Sequence, residues 1–241
     1  MCGDDCNHDI MLESVTNYIK FEEVVPELDG YRTRIVYDSP AVKDLIALQH
    51  IVPHFSKNKD VYLVLYSEAL YYKFKKRVEG LLRRVPDLER AISKLKVVKV
   101  GLKSECEYGE LVHFIKQGKP RSEFKELVEA LIGLDENSVL VLYGSVAYYM
   151  ISTGYSDLKN LIDLFSVLPE RITLFGFRHR NTSSFPEDTL LEDLYDVIVY
   201  VTKDRQSFDE FTYNFRVECH LGAPCYRCGK LRIENGLLVS L

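Results

Sequence analysis

The sequence predicts an α/β fold of three layers, in which a mostly parallel sheet has helices on both faces and an antiparallel β edge at the C-terminus. Three observations predict it. Short β-branched runs alternate with helical patterns along most of the chain. The run SVLVLY at 138–143 is almost continuously apolar, as expected for a strand buried on both faces. Near the end, FTYNFRVECH and KLRIENGLLV have the pattern of an antiparallel pair, the second divided by the turn signal Asn235-Gly236.

The individual elements follow in chain order and form one domain. Strands are expected at 33–37, 60–66, 95–100, 138–143, 171–177 and 196–202. The spacing of apolar residues predicts helices at 11–25, 42–52, 67–85, 123–132 and 156–168, with Gly133 as a left-handed cap after the fourth. We divide the domain into an N-terminal helical extension at 1–28, packed on the outside, an α/β core at 29–205 and a β-hairpin edge at 206–241.

Composition and charge exclude several classes of protein. The chain has 241 residues, 46% hydrophobic and 28% charged, which excludes wholesale disorder. A net charge of −5 provides no basic field, so neither nucleic acid nor a membrane is an expected partner. The most apolar stretch is shorter than the roughly 20 residues of a spanning helix, and the acidic N-terminus does not resemble a secretion signal. We therefore expect a cytoplasmic protein. Its three glutamines among many Lys and Glu are typical of heat-adapted proteins.

Residues 37–44, YDSPAVKD, place Lys43 where a nucleotide-binding loop of the pattern G-x-x-x-x-G-K-[ST] keeps its lysine. Such a loop needs glycine where the backbone turns through positive φ or where a phosphate comes close, yet Tyr37 and Val42 occupy the glycine positions. Asp44 replaces the hydroxyl ligand of Mg²⁺, and two like charges ~4 Å apart repel by roughly 4 kcal/mol at an effective dielectric constant near 20. We therefore do not expect the loop to hold ATP and Mg²⁺ in the usual way.

A structural role is also open to this segment. Either Asp38 or Ser39 would cap the following helix, with Pro40 at its first position. Lys43 would then be a solvated charge in the first turn of that helix.

In its order of elements the chain resembles the RecA/KaiC-like branch of the P-loop ATPases, over residues 31–241. The resemblance is carried by IVYDSPAVKD, VYLVLYSE, SVLVLYGS and the closing segments NFRVECH and KLRIENGLL. It implies a RecA/KaiC-like fold, and the chain is identified as a degenerate member of a KaiC-like family of hyperthermophilic archaea. Members of this branch commonly assemble, so the resemblance also implies a homo-oligomer or another protein partner.

The resemblance assigns roles to further positions. Glu68 stands where the family has the carboxylate that activates water; otherwise it complements the dipole of a helix that Ser67 caps. At the place of the magnesium-organising aspartate the chain has Tyr143, Gly144 and Ser145, none with a charged oxygen. The family's closing basic pair is replaced by the Glu-Cys-His of 218–220. Losing the glycines, the metal ligands and the cations together argues against ATP hydrolysis.

Arg178 and Arg180, in the segment FRHRN, are the sharpest local concentration of positive charge. They follow a strand at the edge where open α/β sheets bind ligands, and two arginines there can grip a carboxylate or phosphate. The alternative is a solvated loop whose charge is offset by the carboxylates at 187, 188, 192 and 193.

The cysteines leave three states open. Cys219, His220, Cys225 and Cys228 have the composition of a Cys₃His zinc site. The first two are neighbours on an expected strand and point to opposite faces, so at most one joins the CYRC pair, and the Cys and His residues at 2, 6 and 8 would complete the set. A Cys225–Cys228 or other disulfide is the second possibility, and free thiols, as we expect for Cys106, are the third.

Taken together, these patterns predict a catalytically degenerate KaiC/RecA-like protein that binds or regulates without hydrolysing ATP and needs no cofactor. A small anion or a protein partner would contact the carboxyl ends of the strands around Lys43, Glu68, Ser145 and Arg178. The first alternative is a divergent ATPase with Lys43 on phosphate, Glu68 as base, and Arg178 or Arg180 as the cation. The second is a zinc-dependent nucleic-acid binder that uses the CYRC segment.

Overall fold

One sheet runs through the part of the protein described by the computed structural model, residues 18–144, 156–180, 192–219 and 227–241. Its strands in this part are β1 (Arg32–Tyr37), β2 (Asp60–Leu65), β3 (Lys96–Gly101), β4 (Glu110–Lys116), β5 (Ser138–Leu142), β6 (Thr173–His179), β7 (Val197–Lys203), β8 (Thr212–Cys219), β9 (Arg227–Glu234) and β10 (Leu237–Ser240). They lie in the order β10-β9-β8-β7-β1-β6-β5-β2-β3-β4. The strands from β7 to β4 in this order pair in parallel, and β8, β9 and β10 are antiparallel to their neighbours.

Helices cover both faces of the sheet. Within the described residues they are α1 (Phe21–Glu27), α2 (Pro40–Leu45), a π-helix (Ile46–Ile51), α3 (Val52–Phe55), α4 (Glu68–Leu81), α5 (Leu88–Ser93), α6 (Pro120–Leu131) and α7 (Ser156–Val167). The first five α-helices and the π-helix contribute apolar residues to one core cluster, and α6 and α7 contribute to a second on the opposite face. β5 is buried along its whole length because it lies between these two clusters. The predicted three-layer α/β fold is therefore confirmed.

The helical segment after β1 carries a π-helix in its middle. Pro53 has no backbone N–H, and in a regular α-helix its ring would clash with the carbonyl group four residues earlier. The wider π turn, in which the N–H of Val52 bonds to the carbonyl of Ala47, lies directly before this proline. On the same segment the side-chain amide of Gln49 donates to the carbonyl of Leu238 at 2.6 Å and accepts from its N–H at 2.8 Å. This amide satisfies backbone groups of β10 at the edge of the sheet.

The antiparallel edge forms as the sequence predicts. Asn235 and Gly236 both have positive φ, 51° and 77°, as a tight hairpin turn between β9 and β10 requires. Tyr18 makes a bridge with Cys228 and so lies beside β9, and Ile19 donates from its N–H to the same Cys228 carbonyl at 3.2 Å. The chain before α1 is therefore extended at this point, not helical.

Two predictions about elements are wrong, and two elements were not predicted. The helix expected at 11–25 begins only at Phe21 within the described residues, and Phe21 is fully buried, so α1 packs into the core and not merely on the outside. Gly133 does not have positive φ; α6 ends with the Leu134 N–H bonded to the Leu131 carbonyl. β4 and α5 were not predicted. β4 is an exposed edge strand without clear alternation, and α5 is shorter than two helical turns, so both have weak patterns.

None of the helices among the described residues has the length and apolar character needed to cross a membrane.

Candidate functional site

Parallel strands bring most of the predicted site residues to one edge of the sheet. β1, β6, β5 and β2 are consecutive in the sheet and parallel, so the residues that follow them lie at the same end. The predicted residues at 38–44, 68 and 178–180 follow or end these strands. Ser145 follows β5 but lies outside the described residues.

The connection from β1 to α2 is very short. β1 ends at Tyr37 and α2 begins at Pro40, so two residues join the strand to the helix. None of residues 37–44 has positive φ; in the described part of the chain Asn235 is the only non-glycine residue that has. Pro40 occupies the first helical position, as predicted, and Lys43 already lies within the helix.

Asp38 and Ser39 do not cap this helix through their side chains. Ser39 is at the N-cap position with extended backbone, but its hydroxyl makes no capping bond. Asp38 Oδ2 accepts from the backbone N–H of Lys203 at 2.9 Å and lies 3.8 Å from Nη1 of Arg180. The predicted cap is therefore wrong: Asp38 ties the bend to β7, its sheet neighbour, instead of satisfying the helix N-terminus.

Lys43 is buried, which contradicts the expectation of a solvated charge. Its Nζ donates to the carbonyl oxygen of Tyr143 at 3.1 Å, and it lies 3.0 Å from Asp44 Oδ1. The same nitrogen lies 3.7 Å from the centre of the Tyr143 ring. Burial lowers the pKa of Lys43, while the nearby Asp44 carboxylate opposes this shift. The ammonium is thus held within the protein by a carbonyl, a carboxylate and a ring.

Asp44 and Tyr143 complete what we call the Tyr143 cluster: Lys43, Asp44, Arg77 and Tyr143. The Tyr143 hydroxyl donates to Asp44 Oδ1 at 2.7 Å, and Nε of Arg77 lies 2.7 Å from Asp44 Oδ2. Tyr143 is fully buried, and burial together with Asp44 raises the pKa of its hydroxyl well above its usual value. Burial and Asp44 also raise the pKa of Tyr37 to about 12. Both tyrosines therefore stay protonated at neutral pH, and Asp44 is neutralised by groups of this chain.

Glu68 is engaged in a second buried network. Ser67 accepts from the N–H of Leu70 at 3.2 Å and so caps α4, as predicted. Glu68 Oε1 lies 3.1 Å from Nζ of Lys99, and Oε2 accepts from the backbone N–H groups of Leu102 at 2.9 Å and Lys103 at 3.3 Å. Although burial raises the pKa of Glu68, these donors outweigh it and hold the pKa below its usual value. Both carboxylate oxygens therefore have partners within the chain.

Lys99 joins this carboxylate to the segment that returns from β3 to β4. Its side chain is fully buried, and its Nζ donates to the carbonyls of Lys103 at 2.8 Å and Glu105 at 2.9 Å. The Tyr71 ring lies 3.9 Å away. Position 101, beside the pair, has room only for glycine, because a Cβ there would lie 2.4 Å from Glu68 Oε2. We call Glu68, Lys99 and the backbone groups they bind the Glu68–Lys99 latch.

Arg178 and Arg180 lie at the same end of the parallel strands as Lys43 and Glu68, but on the opposite face of the sheet. Nη1 of Arg178 donates to Glu192 Oε1 at 2.7 Å, and Glu192 is also 3.8 Å from Nη1 of Arg34. Both predicted arginines line a cavity that does not include Lys43 or Glu68. The structure therefore does not bring Arg178 and Lys43 together around one ligand.

The cysteines are in different states. Cys219 is disulfide-bonded, whereas Cys106 and Cys228 are free thiols. A Cys225–Cys228 disulfide is therefore contradicted, whereas the alternative of another disulfide is confirmed for Cys219. His220 and Cys225 lie outside the described residues, and within the described ranges no three His, Cys, Asp or Glu side chains are close enough to hold a metal ion.

Sequence reasoning missed two residues that decide the chemistry here. Lys99 pairs with Glu68, and its position inside the apolar run KVVKVG was a usable signal, because a charged residue in a buried strand requires a partner. Arg77 pairs with Asp44 across two elements that are far apart in sequence, and no local pattern indicates that contact.

No protein-family model matches the chain, and neither does any curated protein. Among solved structures, the KaiC-like protein PH0186 from the hyperthermophilic archaeon Pyrococcus horikoshii is similar with a TM-score of 0.55 at 8% identity, over 88% of this chain and 90% of that one. The protein PH0250 from Pyrococcus horikoshii has a TM-score of 0.52 at 17% identity, over 74% and 86%. The RadB recombinase has a TM-score of 0.49 at 14% identity, over 87% and 90%. The similarity to PH0186 therefore shows that the chain has a KaiC-like fold, as its sequence predicts.

Proposed function

We propose that this protein is a KaiC/RecA-like binding or regulatory protein that does not hydrolyse ATP. The observation that carries the proposal is the two-residue connection between β1 and α2. A phosphate-binding loop encloses its anion with successive backbone N–H groups, and it needs several residues and positive φ to do so. The bend here has neither, and Pro40 removes one N–H from it.

The Tyr143 cluster supports the proposal because it offers no good ligand for Mg²⁺. By the resemblance, Tyr143, Gly144 and Ser145 stand at the place of the family's magnesium-organising aspartate, and the neutral phenol of Tyr143 is a poor ligand for a hard cation. Lys43 is the one residue that matches the loop pattern. Its ammonium already forms an ion pair with Asp44 and a hydrogen bond with the carbonyl of Tyr143. A triphosphate would have to displace these contacts and approach the Asp44 carboxylate.

The Glu68–Lys99 latch supports the proposal because Glu68 is not free to act as a general base. A general base must be free to accept a proton from water in the site. Glu68 instead binds an ammonium and two backbone N–H groups, and its lowered pKa makes it a weaker base. A structural role for Glu68 accounts for all of these contacts.

Calorimetry with Mg-ATP tests the proposal. We expect no Mg-ATP binding that depends on Lys43: the Lys43→Ala variant and the control Lys57→Ala, which removes an exposed lysine near Asp87, should both behave as the wild-type protein does. Circular dichroism would first show that each variant is folded. Micromolar binding that is lost in Lys43→Ala but kept in Lys57→Ala would overturn the proposal and favour the divergent ATPase.

A further inference from the structure

We propose that a cavity on the sheet face opposite Lys43 binds a small phosphorylated molecule that carries a planar ring. This inference deepens the proposed function, on which it rests, because it gives the binding role a site and a ligand class. The cavity measures about 650 Å³, within the range of small-ligand sites. Its positive charges come from Arg178, Arg180, Arg216 and Lys230.

The sheet register sets these side chains next to one another. Arg178 is opposite Val36, Val36 is opposite Tyr200, and Tyr200 is opposite Arg216, so these residues form one row across four strands. Neighbouring strands are about 4.8 Å apart, so the row spans roughly 14 Å from Arg178 to Arg216. Lys230 is opposite Asn214, in the next row on the same face, because residues two apart on a strand point the same way.

The hydrogen-bond donors of this lining favour an anion. Four cationic residues line the cavity, but Arg178 lies near Glu192 and Arg180 near Asp38, so the donors for a ligand come from Arg216 and Lys230. Nη2 of Arg216 lies 2.7 Å from Glu218, and Nζ of Lys230 lies 3.0 Å from Asp204. A guanidinium has five N–H donors and an ammonium three, so one carboxylate each leaves donors for a ligand. The Arg216 side chain is 56% exposed and can reach it.

Aromatic groups in the same cavity favour a ligand with a ring. The Arg216 guanidinium lies 5.0 Å from the centre of the Tyr200 ring, which holds the cation against the sheet face. Tyr18 lines the cavity and is 64% exposed, so its ring is available for stacking. The bridge between Tyr18 and Cys228 fixes the backbone that carries this ring. Phosphate on Arg216 and Lys230 with a ring against Tyr18 matches a nucleoside monophosphate.

Calorimetry with AMP in the presence of a chelator tests this site without Mg²⁺. We expect wild-type binding in the micromolar to millimolar range, weakened about tenfold or more in Arg216→Gln and partly restored in Arg216→Lys. The control Arg227→Gln removes a cation from the same strand as Lys230, one that pairs with Glu27 and does not line the cavity. It should bind as the wild type does. Pyrophosphate should bind more weakly than AMP, and adenosine weaker still.

The outcomes separate this inference from the proposed function. If AMP does not bind, the inference is overturned. It is also overturned if AMP binds equally well to Arg216→Gln and Arg227→Gln as to the wild type. Neither result contradicts the proposal that the protein does not hydrolyse ATP. AMP binding that requires Lys43 and not Arg216 would overturn both. Binding that depends on Arg216 and is unchanged in Lys43→Ala supports both. Adenosine binding as tight as that of AMP would show that the phosphate is not recognised, and would also overturn the inference.

Discussion

The Glu68–Lys99 latch provides the sharpest test of whether the role of Glu68 is structural or catalytic. In Glu68→Gln the Lys99 ammonium, whose side chain is 0% exposed, loses its only carboxylate partner in the latch. Removing one partner of a buried ion pair costs about 3–5 kcal/mol of unfolding free energy. Two carbonyl groups and the Tyr71 ring still surround the ammonium, so we expect a cost near the lower end, about 3 kcal/mol. For a domain of this size, that is a fall in melting temperature of about 6–12 °C.

Urea denaturation followed by circular dichroism measures this cost. Lys99→Met should cost a similar amount, and the double variant should cost at least about 1 kcal/mol less than the sum of the two, because each variant removes the same pair. Lys96→Met is the control: Lys96 lies on the same strand and pairs with Asp60 at 2.6 Å, but that pair is exposed and should contribute less than about 1 kcal/mol. If Glu68→Gln costs no more than Lys96→Met, or if the two costs add fully, Glu68 does not hold the latch.

The ion pair of Glu68 and Lys99 also makes the unfolding free energy depend on pH. The pKa of Glu68 in the folded protein lies below its usual value, so its contribution to stability is present above the unfolded pKa of about 4.3 and is lost as the pH falls through the folded pKa. The stability difference between wild type and Glu68→Gln should therefore narrow below about pH 4.

Two further predictions concern other buried polar groups. Tyr143→Phe removes the hydrogen bond to Asp44 and should cost about 1.5–3 kcal/mol in urea denaturation, since the acceptor is charged; a cost below about 0.5 kcal/mol would contradict the Tyr143 cluster. Burial lowers the pKa of His50, which Glu22 opposes, so the unfolded chain binds more protons below about pH 6.5 and stability should fall as the pH drops from 7 to 5. His50→Gln should flatten this fall; a plot of unfolding free energy against pH with the same slope as that of the wild type would refute the prediction.

The fold could be predicted because its strands are buried on both faces and so have nearly continuous apolar runs. β5 is such a strand. The hairpin turn at Asn235-Gly236 could be predicted for a different reason, because its residues favour the positive φ angles that a tight turn requires. β4 could not be predicted in this way. It lies at the edge of the sheet, most of its residues are exposed or half-buried, and the alternation that marks a strand is therefore weak.

The candidate site was predicted less completely because its chemistry depends on long-range contacts. If the segment is purely structural, the sequence alone predicts that Lys43 is a solvated charge, whereas the structure buries it. Its burial follows from Tyr143, a residue 100 positions away, which provides both the acceptor and the ring. The cavity around Arg216 and Lys230 was missed for the same reason: antiparallel pairing of β7, β8 and β9 brings its residues together.

The side chains of the Tyr143 cluster depend on one another, which bears on whether one substitution could create a nucleotide site. Tyr143→Asp would remove a fully buried ring and place a second carboxylate near Asp44, so the two like charges would share Lys43 and Arg77. Asp44→Thr would leave Lys43 buried with only a carbonyl and a ring. Neither change would lengthen the two-residue connection that precedes Pro40. Because we expect each single substitution to destabilise the fold before it creates a pocket of backbone N–H groups, we interpret the cluster as part of the packed core.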